Sequence, residues 1–213
     1  NDSSGNGNNW TTNNISLTAG VTYDAMTDVP TNTSATVANY CVLNPINKNT
    51  NCTLSNGNLN FSTAVAGSSA TPAIGTIGVS SGKWYWECVR TSGTFSIFGI
   101  AQSNKNTAIA IGYDTVSWGY RYSGDKVTNS VLTSYGATFG SNDIIGVAFD
   151  ADNGTLTFYK NNVSQGTAFT GLTDGPYFAA AGDYQDSGFV NFGQRPFTYT
   201  PPTGFVALNT FNL

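Results

Sequence analysis

No histidine occurs among the 213 residues. That absence removes Ser-His-Asp and Cys-His nucleophilic constellations and the usual zinc and iron sites. Two-carboxylate hydrolysis stays open, but Glu87 is the only glutamate. Sandwich glycosidases set their acid and nucleophile about 5 Å apart, typically as two glutamates with an aspartate between; here the i+2 neighbour of Glu87 is Val89. Asp150 and Asp152 are close in sequence, at a turn where Asp and Asn are expected for backbone capping. No enzymatic activity is expected. Charge is scarce as well: 9% of residues are charged, with a net charge of −4. Eight Lys+Arg scattered along the chain form no basic stripe, which argues against nucleic acid and anionic membranes as partners. There is no apolar run of about 18 residues, so no transmembrane helix and no membrane insertion is expected. The opening residues lack the pattern of a signal peptide, and the chain, starting at Asn1 without methionine, is read as a fragment or processed product.

What is abundant is Asn, Thr, Ser and Gly, on a background of 13% aromatic residues. That aromatic content, with frequent Val, Ile and Leu, supplies a core that disordered chains lack. Residues 1–37 are dense in small polar residues with no helical periodicity, and read as an extended arm or linker carrying apolar anchors at Trp10, Ile15, Leu17, Tyr23 and Met26. Residues 38–213 change character: short runs of period two alternate with turns every 8 to 12 or so residues, the signature of a sandwich or barrel. Strands are expected at 38–43, 52–54, 59–61, 73–79, 83–90, 95–101, 117–122, 130–132, 144–150, 155–160, 163–169, 177–181 and 188–192. Asp152-Asn153-Gly154 joins two of these in a hairpin, because Asn and Gly tolerate positive φ.

The segment KWYWECVR shows how the core is built. Trp84, Trp86 and Cys88 point to one face and Tyr85, Glu87 and Val89 to the other. Both faces are apolar, so this strand is expected to be central and covered on both sides. Glu87 then becomes a partly buried carboxylate that must be hydrogen-bonded or paired, for example with Arg90 or Arg121. Cys41 and Cys52 flank the polar loop NPINKNTN; two buried thiols are the favoured reading over a disulfide, because spacing alone is poor support for a bridge. Cys88 reads as a packing residue.

GKWYWECV, then FGIAQ, SWGYRYSG, DIIGVAFDADNGTLTFYKNNVSQGTAF, PYFAAAGDY and the closing VNFGQRPFTYTPPTGFVALN resemble the SPRY domain in order and spacing, over roughly residues 51–209. The resemblance implies an all-β fold, a bent antiparallel β-sandwich of concanavalin A-like jelly-roll type, acting as a non-catalytic binding module. The preceding DSSGNGNNWT, DVPTN and NYCVLNP resemble the lead-in found beside such domains in marine bacteriophage fibre-like and virion structural proteins. This implies a place on a virion surface, outside the cell, in a tail fibre, receptor-binding or decoration protein.

Two functions are expected from this reading. In one, loops at one end of the sandwich recognise a host surface receptor, a glycan or protein, through Tyr113, Asp114, Asp125, Lys126, Asp174, Tyr184, Gln185 and Asp186, drawn from the connections 104–115, 124–129 and 173–187. These combine aromatic platforms with hydrogen-bonding groups. In the other the domain is architectural and binds only its virion neighbours, as in a homotrimeric fibre or on a capsid lattice. A cellular SPRY adaptor that binds a peptide is a remote third. Trp118, Tyr120 and Tyr122 alternate on a strand and are read as core. The oxygen-rich segments at Asp2 and at Asp183, Gln185 and Asp186 lack the EF-hand spacing and are read as loop chemistry; no metal or cofactor is expected. Deleting residues 1–36 should leave a cooperative thermal melt, since the strand pattern starts after them. Loss of cooperativity in that truncation would make the arm part of the core.

Overall fold

An 11-residue strand, buried on both faces from Trp84 to Arg90, organises the fold. In the computed structural model, which describes residues 32–35, 37–63, 71–93, 95–182 and 184–213, this strand is β5 (Lys83–Gly93). It follows β1 (Leu43–Lys48), β2 (Thr53–Ser55), β3 (Asn60–Ser62) and β4 (Ala73–Val79), and precedes β6 (Ile97–Gln102), β7 (Ser117–Arg121), β8 (Asp125–Thr128), β9 (Val131–Ser134) and β10 (Ile144–Asp150). β11 (Thr155–Lys160), β12 (Val163–Phe169), β13 (Tyr177–Ala181), β14 (Asp186–Asn191) and β15 (Val206–Ala207) complete the chain. The described residues contain no helix, so none is long and apolar enough to cross a membrane.

The strands form two sheets, ordered β1-β4-β13-β6-β7-β8-β9 and β12-β11-β10-β5-β14-β3-β2. All ladders are antiparallel except the short β15–β5 pair, which is parallel. Between the sheets lies the main core, in which Trp86, Phe61, Phe149 and Phe158 of one sheet meet Phe98, Tyr120 and Tyr177 of the other. Aromatic edges cross the gap: Phe61 to Phe98 at 6.3 Å, Phe149 to Tyr177 at 5.3 Å and Tyr120 to Phe158 at 5.2 Å between centroids. Such pairs add roughly 0.5–1.5 kcal/mol each beyond the area they bury. A smaller core on the outer face of the β6 sheet joins Ile74, Ile97, Ala101, Ile111, Val127 and Ala180.

β10 and β11 pair in register from Asp150–Thr155 back to Ile145–Lys160, the hairpin expected from its turn. Asp150 accepts from the Asn153 N–H at 2.9 Å and from Asn153 Nδ2 at 2.8 Å, and Asp152 Oδ1 accepts the Gly82 N–H at 2.7 Å. Both aspartates thus serve the turn. Several sequence expectations shift. NPINKNTN was read as a loop and 38–43 as a strand, yet β1 starts at Leu43 and runs through Pro45. Pro45 is tolerated because β1 lies at the sheet edge, where a missing N–H costs no ladder bond; Ile46 beside it is 92% exposed. β8 occupies what was read as a loop, carried by the single buried side chain of Val127. The proposed arm, residues 1–37, lies outside the described residues except for 32–35 and 37, where Asn32 Nδ2 donates to the Thr210 carbonyl at 2.7 Å.

All three cysteines are buried and free. Burial pushes the thiols of Cys41 and Cys52 up to about 11 and that of Cys88 upward too, so they stay protonated and act as packing groups.

Glu87, 2% exposed, is paired with neither Arg90 nor Arg121. Its Oε2 accepts the Thr198 N–H and its Oε1 the Tyr199 N–H, both at 2.9 Å, with the Tyr85 hydroxyl 3.5 Å from Oε1. The carboxylate therefore clamps the C-terminal tail over the outer face of β5, where Phe197 meets Tyr85 edge-on at 5.1 Å. Glu87→Gln puts an NH2 group against one of these two donors and should lower stability by about 1–3 kcal/mol, since hydrogen bonds to charged groups contribute about that much. An unchanged urea midpoint would show that the tail is held by packing alone.

Candidate functional site

The strand registers sort the loops into two opposite ends. Gln102 of β6 pairs with Tyr177 and Ala101 with Ser117, so connections 103–116 and 170–176 share one end. Ile97 pairs with Arg121 and Phe98 with Ala181, so 95–96, 122–124 and the approach to β14 share the other. The eight sequence-selected residues are thereby divided, and no single site holds them all.

At the Gln102 end, Asp174 is exposed, its carbonyl accepting from Gln102 Nε2 at 2.8 Å. Tyr113 packs on the smaller core. Asp114 is tied up internally: Oδ2 pairs with Lys105 Nζ at 2.7 Å and Oδ1 accepts from Ser117 Oγ at 2.6 Å. Lys126 reaches across the sandwich, donating to the Ala168 carbonyl at 2.6 Å with its ammonium 5.5 Å from the Phe169 ring centre. It bridges the sheets and is not a free surface cation. Asp186 is the first residue of β14 and only 1% exposed. Its main chain interlocks with Thr63, which donates N–H at 2.7 Å and Oγ1 at 2.9 Å to the Asp186 carbonyl and accepts the Asp186 N–H at 2.8 Å. Asp114, Lys126 and Asp186 are thus structural groups, against the sequence reading. Asp2 and Asp183, in the oxygen-rich segments read as loop chemistry, lie outside the described residues.

The Phe95 end carries the denser chemistry. Tyr184 and Gln185 are half-buried there, as is Asp125, which accepts from Ser123 Oγ at 2.7 Å. The tight pass between strands needs Gly93: at φ +103° a Cβ would sit 2.2 Å from the Gln185 carbonyl oxygen. The Phe95 ring contacts Tyr122 edge-on at 5.3 Å and Tyr184 at 5.7 Å. Over Tyr122 lie two guanidinium groups, Arg121 at 5.0 Å and Arg90 at 6.0 Å from the ring centre. Arg90 is buried and donates to the Phe139 carbonyl at 3.4 Å. Arg121 is half-buried, its Nη1 3.5 Å from Ser123 Oγ. Among the described residues no carboxylate forms an ion pair with Arg121, whereas Lys83, Lys105 and Lys160 each have one. The sequence offers Arg121 only as a partner for Glu87, and Tyr122 reads there as core and Phe95 as the start of a strand, so none of the three reads as part of a site. Arg121 and Tyr122 carry one positional signal, the Ser123-Gly124 turn that follows them.

The floor of this end is the loop 139–143. Asp143 accepts the Gly140 N–H and Asn161 Nδ2, each at 2.7 Å, and pairs with Lys160 at 3.4 Å. Burial alone would raise its pKa, but these hydrogen bonds and the lysine outweigh it and hold the carboxyl below its ordinary 3.8. Asp150, bonded to Asn153 and Lys83, is lowered against burial in the same way.

A family model described as SPRY domain matches residues 83–195, just over half of the chain. The chain belongs to the SPRY domain family. It is 38% identical over 124 residues to the probable ATP-dependent RNA helicase ddx1 of Dictyostelium discoideum, covering 57% of this chain and 16% of that protein. To SPRY domain-containing SOCS box protein 3 of Xenopus tropicalis it is 35% identical over 107 residues, covering 46% of this chain and 30% of that protein. The chain thus spans less than a third of either. The structure of the human HERC1 SPRY domain superposes with a TM-score of 0.60 at 17% identity, covering 70% of this chain and 96% of that one. Stonustoxin gives 0.58 at 24%, covering 71% and 26%. At these identities the two structures establish the fold: an all-β antiparallel sandwich.

Carboxyls whose folded pKa is depressed stabilise fully above the unfolded value, and that contribution disappears as pH falls through the folded one. Stability should therefore be flat from pH 5.5 to 8, where no histidine titrates, and should drop below about pH 4. Asp143→Asn and Asp150→Asn should each flatten part of the acid limb in a pH series of denaturation midpoints. A midpoint that moves substantially between pH 5.5 and 8 would contradict this assignment.

Proposed function

We propose that this SPRY domain is a non-catalytic recognition module that binds a protein partner through the Phe95 end of the sandwich. SPRY domains are generally binding modules without catalytic activity, and the observation that selects this end is the stack of Arg121 on Tyr122 beside Phe95 and Tyr184. Aromatic and arginine side chains dominate interface energetics when a ring of near-neutral contacts excludes water around them. Arg121 suits that role, being pre-stacked and holding no carboxylate among the described residues, so little must be given up when a partner supplies an acceptor.

The setting we propose is the surface of a virion, in a tail fibre or decoration protein, with a host surface protein or glycan as the receptor. This reading is supported by the resemblance of the lead-in to phage fibre-like proteins and by a surface rich in Asn, Thr and Ser with 9% charged residues overall. The helicase and SOCS box relatives named above are cellular proteins, and no relative named there carries an argument for it. The architectural reading draws on a different observation: Val131 and Leu132 on edge strand β9 and Val163 on edge strand β12 are exposed, as suits a domain packed among virion neighbours, a homotrimer included.

Arg121→Ala and Tyr184→Ala should each weaken binding to host envelope preparations by about 30-fold or more, the effect of a hot-spot loss near 2 kcal/mol. Asp174→Ala, at the opposite end, should leave it unchanged. The proposed end is wrong if Asp174→Ala is the damaging change. Absence of binding to any envelope protein or glycan favours the architectural role.

A further inference from the structure

The β6–β7 connection is built around a cation. Lys105 has a side chain with no solvent exposure, and its Nζ lies 2.9 Å from the Asn106 carbonyl, 2.6 Å from that of Ile109, 3.3 Å from that of Ala110 and 2.7 Å from Asp114 Oδ2. Four oxygens converge on one nitrogen. Three come from the main chain, aimed by successive turns in which the Ile109 N–H donates to the Asn106 carbonyl at 3.1 Å and the Tyr113 N–H to the Ala110 carbonyl at 3.1 Å. The Ala108 N–H, bonded to Asn106 Oδ1 at 2.9 Å, and Asn49 Nδ2, bonded to the Thr107 carbonyl at 2.8 Å, fix the same turns from outside.

The fourth oxygen is pre-oriented. Asp114 Oδ1 accepts from Ser117 Oγ at 2.6 Å and from the Val116 N–H at 3.2 Å, leaving Oδ2 for the centre. Ser117 Oγ in turn accepts the Gly112 N–H at 2.7 Å. This is a donor set of acceptors only, of the kind that proteins use to replace the water around a metal ion or an ammonium. A neutral amine would put a lone pair against oxygen; the protonated form offers three N–H groups to four acceptors. Burial lowers the pKa of Lys105, and Asp114, by hydrogen bond and by charge, opposes that shift.

We infer that the β6–β7 connection is a monovalent-cation site whose resident ion is the chain's own Lys105 ammonium. With the cation tethered, the loop folds without a dissolved ion, and its shape is independent of calcium or chelators. A single carboxylate and three carbonyls are too few oxygens and too little charge for calcium, which takes six to eight, so the cage selects an ion of single charge and ammonium size. The ion holds the loop down so that Ile111 and Tyr113 cover Ile97 and Val127, and the Asn129 and Ser130 N–H groups bond the Asp114 and Gly112 carbonyls at 2.9 Å each. The loop, β7 and the β8–β9 turn are locked together by one buried charge.

The test is chemical rescue. Lys105→Ala in the full chain should lower the melting temperature, and ammonium chloride at about 100–200 mM should restore part of the loss, whereas choline chloride at equal ionic strength should not. Screening is comparable in both arms, the Debye length being near 10 Å or below. An unchanged melting temperature, absence of ammonium rescue, or equal rescue by choline would each overturn the inference. If Lys105→Ala does not fold, the wild-type protein decides: the Lys105 ammonium protons should exchange slowly enough to give a proton–nitrogen NMR signal at neutral pH where those of the other lysines are lost. Exchange as fast as theirs would overturn the inference equally.

Discussion

Because Trp84, Trp86 and Cys88 on one face of β5 alternate with Tyr85, Glu87 and Val89 on the other, neither face of that stretch can be left wet, and the chain supplies a different cover for each. The inner face is closed by the second sheet, through Trp86, Cys88 and the aromatic contacts beyond them. The outer face is closed by the tail after β14, and that tail has no sheet of its own to satisfy its backbone. Glu87 supplies the missing acceptor, taking two main-chain N–H groups from Thr198 and Tyr199. A charge buried in this way is stable because its hydrogen bonds replace water, and its position fixes where the tail turns before β15 pairs with Trp84 and Tyr85.

With β5 held on both faces, β10 and β14 inherit their registers from it, and the loops emerge at two ends whose separation is set by strand length. Stacked rings and a half-buried guanidinium collect where loops meet the rim of the main core. Tyr122 sits at that rim, packed on the core and half-buried, and Phe95 packs against it and against Tyr184. The Gln102 end is spent differently: its long connection is consumed by its own buried ion, and its tyrosine packs on the sheet. The same fold thus gives its two ends different chemistry, a buried ion pair at one and stacked rings beside a half-buried guanidinium at the other.

Legibility in the sequence followed the strength of the local signal. Ile144–Lys160 was readable because alternation and an Asn-Gly turn agree, and KWYWECVR because both its faces are visibly apolar. β1 was missed since Pro45 and exposed polar residues are affordable only at an edge, a property of the finished sheet. β8 was missed since one buried valine in four residues makes no period. The partner of Glu87 was out of reach for another reason: it lies more than a hundred residues away in main-chain groups, and no side-chain pattern announces a backbone donor. Asp186 was misread as a loop group because aspartate at a strand start looks like turn chemistry, whereas its burial comes from Thr63 and Gly93 on neighbouring strands. Tyr184 and Gln185, chosen from the sequence, lie at the Phe95 end, and the rings and guanidinium beside them come from residues at or next to strand termini.

Scarcity of charge connects these features. In a chain with eight basic residues, a cation left without a carboxylate or a carbonyl is conspicuous. Lys48 and Lys105 are surrounded by main-chain oxygens, Lys126 spans the two sheets, and Lys83 and Lys160 hold turn aspartates. Arg195 lies against Phe189 on the outer face, 5.5 Å from the ring centre. Arg121 differs in combining a stacked guanidinium, partial exposure and a neighbouring aromatic cluster. A guanidinium is weakly hydrated and keeps its charge at every physiological pH, so placing it there adds directional donors without adding a proton-linked switch. In a protein that uses its few charges mainly to close its own backbone, that placement is the strongest physical argument for the Phe95 end as the face turned toward a partner.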